Sequence, residues 1–334
     1  MTQEMAEQPD RLRSLIGRLD SVDSLVRDVL PSPLSGVSIV ARGSSDHAAV
    51  YGRYLLELAS GRPVSLAAPS LHTLYGIDVD YTGQLVIAAS QSGETPEIVD
   101  TLSALQAAGG AGLAVTNSAS SDLASAASVV LDLDMGEERA VPATKTVTGE
   151  FVAFAMLAQC LGEVPFTRDE LEAVPGWVEA VLADPGSPQA AAETLTDSSD
   201  LIVVARGFMY GAALETALKI KETCSLLADG YSSADLRHGP IAAVTRGFHV
   251  VAVSVPGPGF EDMAELIGDL RSRGASVLTV APEPWADIPL PSGMPETLAP
   301  IVAVVRGQQL ALSLATRLGF DPDQPPGLSK VTAT

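Results

Sequence analysis

Lysine is nearly missing from this chain. Of 334 residues only four are lysine, against sixteen arginines. Aromatic residues are also scarce, at 4%, and there are just two cysteines, Cys160 and Cys224. Cations number 20 against 41 carboxylates, a formal net charge of −21. Each shortage excludes something. A chain this acidic has no broad basic surface for a phosphodiester backbone, so nucleic acid is excluded as the main partner. A small anionic ligand is not excluded, because backbone N–H groups at a helix N-terminus can hold a phosphate. Two cysteines without metal-type spacing point to reduced structural thiols in a cytosolic protein. The longest nearly apolar run, FVAFAMLAQCLG (151–162), is too short to cross a bilayer. The opening MTQEMAEQPD has neither the basic nor the apolar region of a secretion signal, so a cytoplasmic location away from membranes is expected. At 46% hydrophobic and 18% charged the chain is globular, with a core of Ala, Val, Leu and Ile.

What is present is a repeat. VARG occurs at 40–43 and again at 204–207, an offset of 164. LVIAASQSG (85–93) aligns with HVVAVSVPG (249–257) at the same offset. GGAGLAVT (109–116) aligns with RGASVLTV (273–280), again shifted by 164. Three matches in one order at one offset imply a duplicated domain. Within each copy, buried apolar runs alternate with helical patterns, the signature of a parallel sheet covered on both faces. The fold class is therefore α/β, and ligands should bind at the carboxyl ends of the strands. The expected divisions are a helical segment over 1–34, a first domain over 35–165, a helical linker over 166–198, a second domain over 199–320 and an extended tail over 321–334.

The clearest local signal is SQSGETPEIVDTLSALQAAG. Ser90, Ser92 and Thr95 flank a glycine between a strand and a helix that starts at Pro96. A polar helix cap needs one hydroxyl. Three hydroxyls, loop N–H groups and a helix dipole make an anion site. The corresponding second-copy loop, SVPGPG, has prolines in place of donors, so one phosphate site per chain is expected. Ser44 and Ser45, in ARGSSDHAA, read as ordinary caps or as contacts to sugar hydroxyls. His238, in YSSADLRHGP, reads by itself as a surface or capping residue. The few lysines are Lys145, Lys219, Lys221 and Lys330. In an arginine-preferring chain such lysines suggest a need for a compact ammonium or a nucleophilic amine. Lys219 shares one helix face with Glu215 and Glu222, at i, i+4 and i+7. That face first reads as a solvated ion pair.

Taken together, SQSGET, ALKIKE, LRHGP and the terminal LSKVT resemble the sugar isomerase (SIS) family in order and spacing. The resemblance is narrower still to the isomerase half of glutamine:fructose-6-phosphate amidotransferase and to stand-alone relatives. It implies two tandem SIS domains, each a flavodoxin-like three-layer α/β/α unit. It implies that Ser90, Gln91, Ser92 and Thr95 hold a sugar phosphate, and that Ser44, Ser45 and the backbone near Val141 contact the sugar. It implies that Glu222 moves a proton between C1 and C2 and that Lys219 stabilises charge on the sugar oxygen. His238, supplied by a neighbouring subunit, would open the ring, which makes a homodimer the expected assembly. Lys330 would approach C1 or C2 from a tail that closes the site. No metal, nucleotide or redox cofactor is implied, and no motif for one is present.

Two departures from the amidotransferase pattern stand out. Residue 2 is Thr where a glutaminase domain would start with a cysteine nucleophile, so no ammonia source is expected and synthesis from glutamine is disfavoured. Ala143 stands where the amidotransferases have a serine near the sugar, and Arg42 replaces a small residue. The expected activity is therefore that of an amino-sugar-phosphate isomerase/deaminase acting on glucosamine 6-phosphate. The alternatives are a fructosamine-6-phosphate deglycase, a dehydratase or isomerase of N-acetylglucosamine 6-phosphate, and a sugar-phosphate-sensing regulator.

Overall fold

The chain's computed structural model describes residues 1–330, and the molecule divides into two compact units. The N-terminal unit comprises Asp10–Glu138 and Lys145–Thr167, together with Ser329 and Lys330. The C-terminal unit comprises Met1–Pro9, Arg139–Thr144 and Arg168–Leu328. The last four residues of the expected tail lie outside the described residues.

The opening amphipathic pattern forms α1 (Thr2–Ile16) and α2 (Leu19–Val29). Then the first repeat runs β1 (Gly36–Val40), α3 (Ser44–Ser60), β2 (Val64–Leu66), α4 (Pro69–Thr73), β3 (Gln84–Ser90), α5 (Pro96–Ala107), β4 (Ala111–Thr116), α6 (Asp122–Ala126), β5 (Val129–Asp132) and α7 (Lys145–Leu161). Its five strands are all parallel, in the order β2-β1-β3-β4-β5. The near-continuous apolar runs are explained by burial on both faces. Val86, Ala88 and Ala114 pack with Ile98, Leu102 and Leu105 of α5 and with Leu123 of α6. Their alternating neighbours Leu85, Ile87, Leu113 and Val115 are fully buried as well.

Residues 164–200 form two helices, α8 (Arg168–Leu182) and α9 (Gly186–Thr194), broken at the ADPGSPQ stretch. The second repeat then runs β6 (Asp200–Ala205), α10 (Tyr210–Cys224), β7 (Leu227–Ser232), α11 (Ser233–Arg237), β8 (His249–Val253), α12 (Phe260–Ser272), β9 (Ser276–Pro282), β10 (Ile288–Leu290) and α13 (Ala299–Leu318). Its parallel sheet has the order β10-β9-β8-β6-β7. This is the same topology as the first sheet, strand for strand.

Strand register tests the repeat residue by residue. Val37 pairs with Leu85 and with Val64; Leu201 pairs with His249 and with Ala228. An offset of 164 thus holds for three strands. It fails at the fourth, where Leu85 pairs with Ala111 but His249 pairs with Ser276 (111 to 276, an offset of 165). The match of 109–116 to 273–280 is therefore out of step by one residue. The extra residue sits in α12. Gly109 (φ 94°) and Gly274 (φ 85°) mark the corresponding turns at the 165 offset.

Candidate active site

In the C-terminal unit, β6 ends at Ala205 and a tight turn at Gly207 (φ 60°) leads into α10. This helix is buried on nearly every side. Gly307 of α13 lets it approach closely, since a Cβ there would lie 2.2 Å from Thr216 Oγ1. The face carrying Glu215, Lys219 and Glu222 is consequently not a solvated surface pair. Glu215 and Lys219 are 0% exposed. Lys219 Nζ lies 3.3 Å from Glu215 Oε1 and donates to Glu222 Oε2. Glu222 alone keeps access to solvent, its side chain 21% exposed. Burial alone would lower the Lys219 pKa. The two carboxylates and their hydrogen bonds outweigh that and raise it above the ordinary lysine value. The arrangement is a permanently charged ammonium bound to one inaccessible and one accessible carboxylate. Lys221 is different: it is partly exposed and 3.7 Å from Asp229.

His238 follows α11 as its C-cap, and its backbone N–H donates to Ala234 O and Asp235 O. The side chain is exposed. Among the described residues no hydrogen bond or ion pair joins it to Glu222 or Lys219. Val141 belongs to this unit, and its N–H is donated to Asp323 O at 2.9 Å.

In the N-terminal unit, the loop after β3 has the form of an anion cradle. Gly93 (φ 68°) is required there, because a Cβ would fall 2.1 Å from Ser121 Oγ. Ser90 Oγ accepts from Gly93 N–H and Ser92 Oγ accepts from Glu94 N–H, both at 3.2 Å. Each hydroxyl proton thus remains available to an oxyanion. Thr95 is the N-cap of α5 but makes no capping hydrogen bond with its side chain. Gln91 and Ser92 are half-buried, and Gln91 O accepts from Asn117 N–H. Arg42, at the end of β1, pairs with Glu97 in the first turn of α5 (Nε to Oε2, 2.9 Å) and brings a guanidinium beside this loop. In the sequence Arg42 stands out only as a departure; its cationic contribution depends on a contact 55 residues away.

Ser44 and Ser45 open α3 differently. Ser44 is half-buried, whereas Ser45 is 6% exposed and donates to the buried Glu150 Oε1 at 2.7 Å. Ser44 is thus the better placed of the two for a ligand. Lys330 Nζ is 2.9 Å from Glu138 Oε2. Glu138 also takes both the N–H and the hydroxyl of Thr146. Nothing in the sequence singles out Glu138 or Glu150; both lie among residues without a recognisable spacing. Burial pushes the Cys160 thiol up to about 12 and the Cys224 thiol up to about 11, in keeping with unreactive structural thiols. Among the described residues no group of His, Cys, Asp and Glu could hold a metal ion, and no helix is long and apolar enough to cross a membrane.

The SIS domain model matches residues 36–159 and 194–288, one segment for each repeat. The chain belongs to the SIS family. Glutamine–fructose-6-phosphate aminotransferase of Methanothermobacter thermautotrophicus is 34% identical over 340 residues, covering 99% of this chain and 56% of the relative. The chain therefore spans about half the length of the curated relatives it matches, namely their isomerase half. A solved structure from Silicibacter pomeroyi, provisionally described as a phosphosugar isomerase, superposes with a TM-score of 0.87 at 30% identity, over 97% of this chain and 99% of that one. Glucosamine-6-phosphate deaminase of Thermotoga maritima shares the fold, with a TM-score of 0.83 at 23% identity and 99% coverage of both chains. The match to the SIS family and to these enzymes supports a SIS-family enzyme, and the third likeness shows the shared fold.

Proposed function

We propose that this SIS enzyme is an amino-sugar-phosphate isomerase/deaminase with glucosamine 6-phosphate as substrate. The observation that carries the reading is the buried Glu215–Lys219–Glu222 series on α10, with one carboxylate open to solvent. Proton transfer next to a carbonyl requires one positioned base and a cation for the oxygen that becomes negative. Glu222 supplies the base. It removes the C2 proton of the open-chain 2-amino aldehyde, and the C1 oxygen takes up the electron pair beside the Lys219 ammonium. Returning the proton to C1 gives a 2-imine. Water adds to that imine and expels ammonia, leaving fructose 6-phosphate. Glu215 holds the ammonium in place and takes no part in the transfer.

The loop at 90–95 takes the phosphate through the hydroxyls of Ser90, Ser92 and Thr95, and Arg42 adds positive charge to that neighbourhood. Gln91, Ser44 and Val141 contribute further substrate contacts. His238 assists ring opening across a homodimer, and Lys330 contributes its amine from the tail. The test is direct. The protein is mixed with glucosamine 6-phosphate and, separately, with N-acetylglucosamine 6-phosphate, and ammonia, fructose 6-phosphate and ultraviolet-absorbing unsaturated products are followed. Ammonia and fructose 6-phosphate from the first substrate are expected. Tight binding of both sugars without turnover would instead indicate a sensor. Glu222→Gln should lower kcat by about 10²–10⁴-fold with the fold intact; unchanged turnover in that variant would remove Glu222 from the mechanism.

A further inference from the structure

The two repeats part company at one crossover. Val115 of β4 pairs with Leu131 of β5, sixteen residues on (115 to 131). The corresponding pair in the C-terminal unit is Val280 of β9 with Ile288 of β10, only eight residues on (280 to 288). The residues missing from the second copy are those that form α6 in the first. There, Leu123 seals the side of α5 against the sheet. In the C-terminal unit a short loop replaces that helix, and a cavity of about 410 Å³ lies between this loop, α12 and β9. This volume falls within the range of small-molecule sites.

The cavity is furnished for a ligand of one kind. Trp285, in the loop, is 55% exposed and stands edge-on to Phe260 of α12, ring centroids 5.2 Å apart. Ile267, seven residues on, extends the apolar wall along the same face of α12. Against this wall stand two polar groups. Ser254 is only 6% exposed and lines the cavity. Asp287 is held in position by Thr279, whose N–H donates to Oδ2 at 2.8 Å and whose hydroxyl lies 2.8 Å from the same oxygen. A cavity-lining hydroxyl and a fixed carboxylate can both bond to a polar substituent of a ligand seated on the aromatic wall. Arg271 is the one cation lining the cavity, at the far end of α12, and it reaches toward Val277 O. The lining thus sets one carboxylate, Asp287, against one guanidinium, and Glu261, Glu265 and Glu283 are exposed nearby in sequence, so local charge gives no preference for a phosphorylated ligand.

We propose that this cavity binds an unphosphorylated sugar, neutral or amine-bearing, with the apolar ring face on Trp285 and polar substituents on Asp287 and Ser254. The site uses none of the residues assigned to catalysis or phosphate binding. Its existence does not depend on which reaction the enzyme performs.

The chain contains two tryptophans, Trp177 and Trp285, so selective ¹⁵N-tryptophan labelling gives one indole N–H signal for each. Glucosamine, N-acetylglucosamine, glucosamine 6-phosphate and uridine are titrated separately into the full chain. Expected is a saturable shift of the Trp285 signal with one of the two unphosphorylated sugars. Asp287→Asn and Ser254→Ala, each with an unchanged thermal midpoint, should weaken it by about tenfold. No saturable Trp285 shift with either unphosphorylated sugar would overturn the proposal. So would tighter binding of the 6-phosphate, a response to uridine alone, or affinities unaltered by both substitutions. Thermal melting read beside the titration separates a lost site from a lost fold.

Discussion

At the scale of single residues, Lys219 is the point where stability and chemistry coincide. Removing its ammonium leaves Glu215 buried beside an uncompensated gap. Lys219→Met should therefore destabilise the protein by about 3–5 kcal/mol, the usual cost of breaking a buried ion pair from one side. The double variant Glu215→Leu/Lys219→Met should regain most of that in urea unfolding while remaining inactive. The pH dependence has a definite sign. The folded pKa of Lys219 lies above its ordinary value of 10.5, so the stabilisation is fully present below 10.5 and is lost as pH rises through the folded value. The gap between wild type and Lys219→Met should thus hold from neutral pH up to about that point and close beyond it. Glu296 titrates in the same direction, but here it is the charged form that the fold disfavours. Its carboxylate lies over the turns at Gly207 and Gly257, the backbone positions corresponding to Gly43 and the phosphate-loop Gly93. Burial raises its pKa, with no cation contributing. Stability from a raised carboxyl is present below the ordinary value of 4.5 and is lost as pH rises through the folded value. Glu296→Gln should therefore be more stable than wild type at neutral pH, with the advantage vanishing below about pH 4.5; equal melting temperatures at pH 7 would count against this.

Among elements, the packing of α10 against α13 governs how the active-site helix is held. Because a Cβ on Gly307 would meet both Thr216 Oγ1 (2.2 Å) and Thr216 Cβ (3.0 Å), Gly307→Ala forces the helices apart. A cost of about 1–3 kcal/mol is expected from overpacking, and kcat should fall more than KM rises as α10 shifts. Much at this scale was legible in the sequence. The strands were readable because apolar runs buried on both faces are hard to mistake, and the first three strands repeat without a gap. The hydroxyl-rich loop was readable because it is local. What was not legible depends on where distant residues come to rest. A one-residue insertion in α12 hides inside a helix, where small side chains align equally well in two registers. The loss of α6 is concealed by loop composition. That the Ser45 hydroxyl donates to Glu150, 105 residues away, could not be read from ARGSSDHAA.

At the scale of the whole molecule, the homodimer remains the prediction with the widest reach. Chains carrying Glu222→Ala and chains carrying His238→Ala should each be inactive, and a mixture should recover part of the activity if neighbouring subunits share their residues. Mixing without recovery, or a monomer in gel filtration at micromolar concentration, would argue for self-contained sites. The repeat also invites the thought that each half is built from one continuous stretch of chain, but the hydrogen bonds of α1 show otherwise. Gln8, 0% exposed, donates to Gln308 Oε1 across 300 residues of chain, and Glu4 accepts from Arg139 and Ala140 N–H. The first nine residues belong to the unit that carries the second repeat. Their partners, Arg139, Ala140 and Gln308, lie beyond the far end of the intervening Asp10–Glu138 stretch. A cut at the start of α1 should therefore be felt in the C-terminal unit, not in the N-terminal unit that directly follows it along the chain.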